Sequence, residues 1–183
     1  MQQSTHDQGP EEGTAPARRS PILRFIVGFL VLVGLFQLLI LYVISPSDLF
    51  QGYLHLSARV SSMLLQAIGH DVNVDGSTLL STELAIEVRR GCDGLAPASI
   101  LAAAVLAFPG PIRSKLQGLL LGTSVILVAN LVRISSLYLI GVYLPDHFQQ
   151  AHHFTWPMAL ICLAMLCWMA WVTWLLPKPG AAR

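Results

Sequence analysis

Charge is scarce in this sequence. Its 183 residues carry 11 Lys and Arg against 10 Asp and Glu, 11% in all, where soluble domains devote roughly a quarter to charged side chains. A formal net charge of +1 gives no basic field, which excludes a nucleic-acid partner held through its phosphates. Cysteine is scarce as well. Cys92 stands alone, while Cys162 and Cys167 sit inside an apolar run. That number and spacing exclude a disulfide framework and a paired-cysteine metal site, and no cofactor is expected. What the chain has instead is apolar bulk: 54% hydrophobic residues and a mean hydropathy of +0.62. That is the profile of a protein dissolved in a lipid bilayer.

The apolar runs divide the chain. Residues 1–20 are polar, rich in Gly and Pro and without apolar periodicity, so they are expected to form a disordered tail. Ser20 and Pro21 read as an N-cap and first helical position. They open a run over 22–44 that is long enough for the ~20 apolar residues a bilayer needs. A cleavable signal peptide would have a shorter core and a small-residue cleavage site, whereas SPSDLF follows here.

Residues 45–91 form the one sizeable segment outside the membrane. Leu54, Leu56, Val60, Met63, Leu64 and Ile68 space like an amphipathic helix lying in the interface plane. Asp75-Gly76 is a turn signal, and the alternation of Leu84, Ile86 and Val88 predicts a short strand or hairpin that leads to Cys92. Further helices are expected at about 93–109, ended by Pro-Gly-Pro, at 116–142 after a basic turn IRSK, and at 155–176 after a polar loop LPDHFQQAHHF. The expected fold class is therefore an all-α membrane protein. It has four transmembrane helices within a membrane-embedded domain, 21–176, a small extracytoplasmic helix-and-hairpin insert, and a short tail at 177–183.

Cations set the orientation. Arg18, Arg19, Arg24, Arg113, Lys115, Lys178 and Arg183 all fall on one side of a four-helix arrangement, the side expected to be cytoplasmic. Both termini are then inside the cell membrane, and Arg89 and Arg90 become exceptions on the outer side. Arg133 lies 17 residues past Leu116, about 25 Å along the helix, in the outer half of a core about 30 Å thick. Cys92 at the start of one helix, and His152 and His153 at the start of another, are expected at the same depth.

Those residue types suggest acyl-transfer chemistry. A thiolate is a nucleophile, and a helix N-terminus with neighbouring Arg lowers a cysteine's pKa; Asp93 works against that. Either His152 or His153 can act as acid or base beside it. Arg133, charged at any cellular pH, can stabilise an oxyanion, with Asn130 on its helix face to hold the guanidinium. Asp146, His147, His152 and His153 cluster in sequence without a recognised metal-ligand spacing.

Three motifs in order, GCDGL around Cys92, NLVR at 130–133 and AHHF at 151–154, resemble the exosortase/archaeosortase family, and the small size resembles its compact exosortase H type. The resemblance implies a membrane-embedded cysteine transpeptidase. Its substrates would be exported proteins ending in a short motif, a transmembrane helix and a basic tail. The new carboxyl end would pass to an acceptor of unknown kind, such as a lipid- or glycan-linked nucleophile. The family's catalytic residues correspond to Cys92, Arg133 and His152; beside them His153, Asn130, Arg90 and Asp93 are possible catalytic or supporting residues. Asp93 stands where the family more often carries a small or amide residue. Two other readings use the same chain: cysteine-dependent hydrolysis without transfer, and a non-catalytic transporter subunit or assembly factor in which Arg133 is a structural intramembrane cation.

Overall fold

The computed structural model describes residues 21–175, with side chains through Thr173; the tails expected at 1–20 and 177–183 lie outside the described residues. Helix α1 (Pro21–Leu39) runs on through a wider turn at Ile40–Ile44. Helix α2 (Asp48–Ala67) is followed by strands β1 (Asn73–Asp75), β2 (Thr78–Leu80) and β3 (Ala85–Glu87). Helices α3 (Leu95–Ala107) and α4 (Ile112–Tyr143) come next, and a short α5 (Phe148–Gln150) leads into α6 (Trp156–Ala170).

Among the described residues, three helical segments are long and apolar enough to cross a membrane: residues 21–44, 112–143 and 145–173. Helix α3 has 13 residues, about 20 Å at ~1.5 Å per residue, and so falls short of the ~30 Å hydrocarbon core. It nevertheless occupies the middle of the bundle, touching α1, α4 and α6. Alanines and serines make this possible. Ala98, Ala103 and Ser99 are buried, and small side chains let helix backbones approach where no hydrophobic effect drives them together. The protein is thus an all-α membrane protein with a small sheet insert, three full-length helices and one shorter central helix.

Two expected boundaries change. IRSK is not a turn but the first turn of α4, and Lys115 Nζ donates to the Leu106 carbonyl at 2.8 Å. A cation therefore satisfies an unpaired carbonyl at the C-terminal end of α3, where the helix dipole is negative. LPDHFQQAHHF is not an irregular loop but a run of tight and wide helical turns, residues 145–155, that carries α6 outward.

The insert has its own core. Ser47 caps α2, its hydroxyl accepting from Phe50 N at 3.2 Å. The face of α2 turned to the protein is Phe50, Leu54, Ser57, Ala58, Ser61 and Leu65. Of the spaced set expected to form the apolar face, only Leu54 is buried; Leu56, Met63, Leu64 and Ile68 are exposed. Small serines and an alanine allow α2 to lie close against α4 and the sheet, which leaves the bulky aliphatic residues on the opposite face. An exposed apolar stripe of this kind suits a helix lying on a lipid surface.

The sheet is antiparallel in the order β1-β2-β3. Gly76, at φ +58°, makes the turn between β1 and β2 that Asp75-Gly76 predicts. Its buried residues Val72, Leu79 and Val88 join Leu65 of α2 and Ile134 and Tyr138 of α4 in one cluster. Tyr138 also donates to Ser81 Oγ at 2.8 Å. The sheet is thereby fixed to the end of α4 that carries Arg133.

Candidate active site

Cys92 sits in a turn between β3 and α3, held there by two glycines, the Asp93 side chain and the Tyr53 hydroxyl. Gly91 (φ +93°) and Gly94 (φ +77°) flank the Cys-Asp pair in the left-handed region, which glycine enters at little cost. Between them, Asp93 is buried and its carboxylate accepts from both Gly91 N, at 3.0 Å, and Leu95 N, at 2.7 Å. Tyr53 of α2 donates its hydroxyl to the Asp93 carbonyl. Asp93 is therefore the clasp of the turn, and its bond from Leu95 N satisfies one of the free N–H groups in the first turn of α3.

From α4, Asn130 Nδ2 donates to the Cys92 carbonyl at 2.9 Å, and Arg133 Nη1 donates to the Gly91 carbonyl at 3.2 Å. A Cβ on Gly94 would lie 2.9 Å from both Cβ and Cγ of Asn130, so only glycine lets the turn rest on α4. Asn130 thus holds the cysteine's backbone and not, as its spacing predicted, the guanidinium.

The side chains converge on the sulfur. His152 Nε2 lies 3.0 Å from Cys92 Sγ, and Arg133 Nη2 lies 3.8 Å from it. His152 stacks on Phe148, ring planes 3° apart, and its Nδ1 is 3.4 Å from His153 Nε2. An imidazole that accepts the thiol proton at Nε2 carries its own proton at Nδ1, facing His153. The wide helical turn over Ala151–Thr155 positions this ring.

Electrostatics differ from what the neighbouring arginines suggest. Burial pushes the Cys92 thiol above its ordinary value; Arg133 pulls it down, Asp93 pushes it up, and Arg89 pulls it down least of all. Arg89 is spent on Glu87, at 2.9 Å, and Arg90 is exposed at the rim. The cation that matters is Arg133. It is 4% exposed, has no carboxylate within ion-pair distance among the described residues, and its Nε has no hydrogen-bond partner. A buried cation without an anion is costly. A negative charge formed at Cys92 or beside it offsets that cost.

Cys92, Arg133 and His152 line one cavity of about 750 Å³, walled on one side by β3 and on the other by α4 and the α5–α6 turn. Arg90 and His153 line it too. Asp146 and His147 do not join them, and among the described residues no three His, Cys, Asp or Glu side chains gather as metal ligands. His55 and His70 lie elsewhere, against Gly76 and the rings of Tyr138 and Tyr143. Sequence reasoning missed Tyr53, Phe148 and the clasping role of Asp93. The last was detectable, since a Gly-Cys-Asp-Gly run before a helix is an Asx-turn pattern.

Fold and site together define a class: a multi-pass membrane protein with a cysteine-histidine pair and a buried guanidinium at one end of its helices. The chain belongs to the exosortase family, for the family profile described as Transmembrane exosortase (Exosortase_EpsH) matches residues 17–172. No curated protein and no solved structure matches it.

Proposed function

We propose that the protein is a cysteine transpeptidase of the cell membrane that cleaves C-terminal sorting signals of exported proteins. The observation that carries the reading is Arg133, a buried cation with no anionic partner among the described residues, 3.8 Å from a sulfur that is itself 3.0 Å from an imidazole. The Cys92 thiol gives its proton to His152 Nε2, and the thiolate attacks the scissile carbonyl. Arg133 neutralises the resulting oxyanion, whose charge replaces that of the thiolate. Collapse breaks the C–N bond, and the leaving amine takes the proton back from His152. The thioester on Cys92 then passes its acyl group to an acceptor nucleophile, which gives its proton to His152 as it attacks and frees the thiol.

A thiol that stays protonated at rest suits this cycle. The proton moves when substrate excludes water and the anion gains Arg133 as its counter-charge. The positive-inside bias supports cytoplasmic termini and an outward-facing Cys92 end of the bundle, where a substrate helix leaves the bilayer. The substrates are exported proteins with a short motif, one transmembrane helix and a basic tail, and the acceptor is a lipid- or glycan-linked nucleophile. The test co-expresses a reporter bearing such a tail with wild type or Cys92→Ala. Processing by wild type alone is expected, and equal processing by both would overturn the reading.

A further inference from the structure

We infer that the open edge of β3 is the substrate-docking element: the extended segment ending at the scissile bond adds to the sheet as a fourth strand. This rests on the transpeptidase reading and names how that site holds its substrate.

The hydrogen-bond register shows which groups are available. β2 and β3 pair with Thr78 opposite Glu87, Leu79 opposite Ile86 and Leu80 opposite Ala85. Beyond the strand ends, Val88 N donates to Ser77 O at 2.9 Å and Ser81 N donates to Leu84 O at 3.1 Å. In an antiparallel ladder the hydrogen-bonded pairs recur every second residue. The bonded pairs are therefore those of Leu84, Ile86 and Val88, and the N–H and C=O of Ala85 and Glu87 point away from β2. Among the described residues neither has another backbone partner. The strand is last in its sheet, so nothing within the sheet covers it.

The exposed edge faces the chemistry. Residues 84–91 line the same cavity as Cys92, together with Leu137 and Phe148, and Leu84 lies close to Gly141 of α4. An unpaired strand edge is a template for another strand, and proteins that read extended peptides use it, because backbone bonds supply affinity while side pockets read alternate residues. The occupant follows from the site's placement. Cys92 lies five residues beyond Glu87 on the same cavity wall, and a peptide whose carbonyl reaches Sγ must present its preceding residues to that wall. Extended, these residues carry amides at the two-residue spacing of Ala85 and Glu87. A helical substrate segment would have none to offer, so docking also selects chain unwound from its transmembrane helix.

The test uses the full-length protein in proteoliposomes. Its probe is a synthetic peptide copied from a host protein that ends in a short motif, an apolar helix and a basic cluster. Single N-methyl groups are placed on successive backbone amides before the cleavage site. Alternating loss is expected: roughly tenfold slower cleavage where the amide faces β3, and little change at the residues between. On the enzyme, Ala85→Pro removes an outward N–H and slows cleavage similarly, while iodoacetamide still labels Cys92 at the wild-type rate.

N-methyl effects without alternation, or Ala85→Pro cleaving as wild type, would overturn the docking while leaving the reaction standing. A dimer crosslinked through this edge would also overturn it. If Cys92→Ala cleaves the unmodified peptide, the transpeptidase reading fails and the inference with it. The N-methyl series needs no variant to fold.

Discussion

Gly94 and Asn130 are in backbone-to-side-chain contact: a Cβ at Gly94 would stand 2.9 Å from Asn130 Cβ. That contact seats the Cys92 turn on α4 and brings the Cys92 carbonyl to Asn130 Nδ2. Gly94→Ala combines an unfavourable φ with this clash, at a cost of about 1–3 kcal/mol, and displaces the nucleophile. Gly76→Ala, also at positive φ but facing open space, is the comparison. Reporter processing should fall sharply for Gly94→Ala and stay near wild type for Gly76→Ala. Equal effects would show that the contact does not position Cys92.

Asp93 is expected to matter for stability before it matters for chemistry. Asp93→Ala removes the acceptor of the Gly91 and Leu95 N–H groups, two hydrogen bonds each worth about 0.5–1.5 kcal/mol. The thermal unfolding midpoint in detergent should drop by several degrees. An unchanged midpoint would remove Asp93 from its role as clasp.

The thiol's titration separates the two nearby charges. Iodoacetamide reacts with the thiolate, so its rate on Cys92 should climb at higher pH than for a free cysteine, because burial raises the pKa. Arg133→Gln removes the largest opposing influence and moves the climb to still higher pH. Asp93→Asn removes a raising influence and moves it lower. The same order in reverse would contradict the electrostatic account.

His152 and His153 are neighbours in sequence, but only His152 reaches the sulfur, at 3.0 Å. His152→Ala should reduce processing by about 10²–10⁴-fold, the range for loss of a general acid-base group. His153→Ala, which removes only a partner of the ring, should reduce it far less. Equal losses would assign both histidines to the reaction.

The bundle and the converging Cys92, Arg133 and His152 were legible in the sequence because the length and order of the apolar runs bring the start of α3, the later part of α4 and the approach to α6 to one end of the bundle. Partners within the site were less so. Asn130 shares a helix face with Arg133, which suggested a bond between them. The Cys92 turn arrives from another segment and takes Asn130 Nδ2 instead. The arginines beside Cys92 drew attention by sequence proximity, yet Arg89 turns to Glu87 and Arg133, 41 residues away, lies against the sulfur. Of the two faces of α2, the spaced set, Leu54 and Val60 apart, is exposed, as a helix in the interface plane requires, whereas the protein-facing side of small serines and an alanine was not read from the sequence. Periodicity alone cannot say which is which.

Arg133→Lys keeps the charge and loses the planar fork that reaches both the Gly91 carbonyl and the sulfur. Processing should fall by about 10²-fold, the order seen for loss of one oxyanion donor, with the protein still inserted and folded. Near-normal activity would mean that any cation suffices.

The central claim is that Cys92 carries the substrate's acyl group between cleavage and transfer. The direct measurement is intact-protein mass spectrometry after mixing enzyme with reporter while acceptor is withheld. An adduct on Cys92 with the mass of the reporter up to its cleavage site is expected, released by hydroxylamine and absent in Cys92→Ala. Cleavage of the reporter with no adduct at Cys92, and with Cys92→Ala fully active, would contradict it.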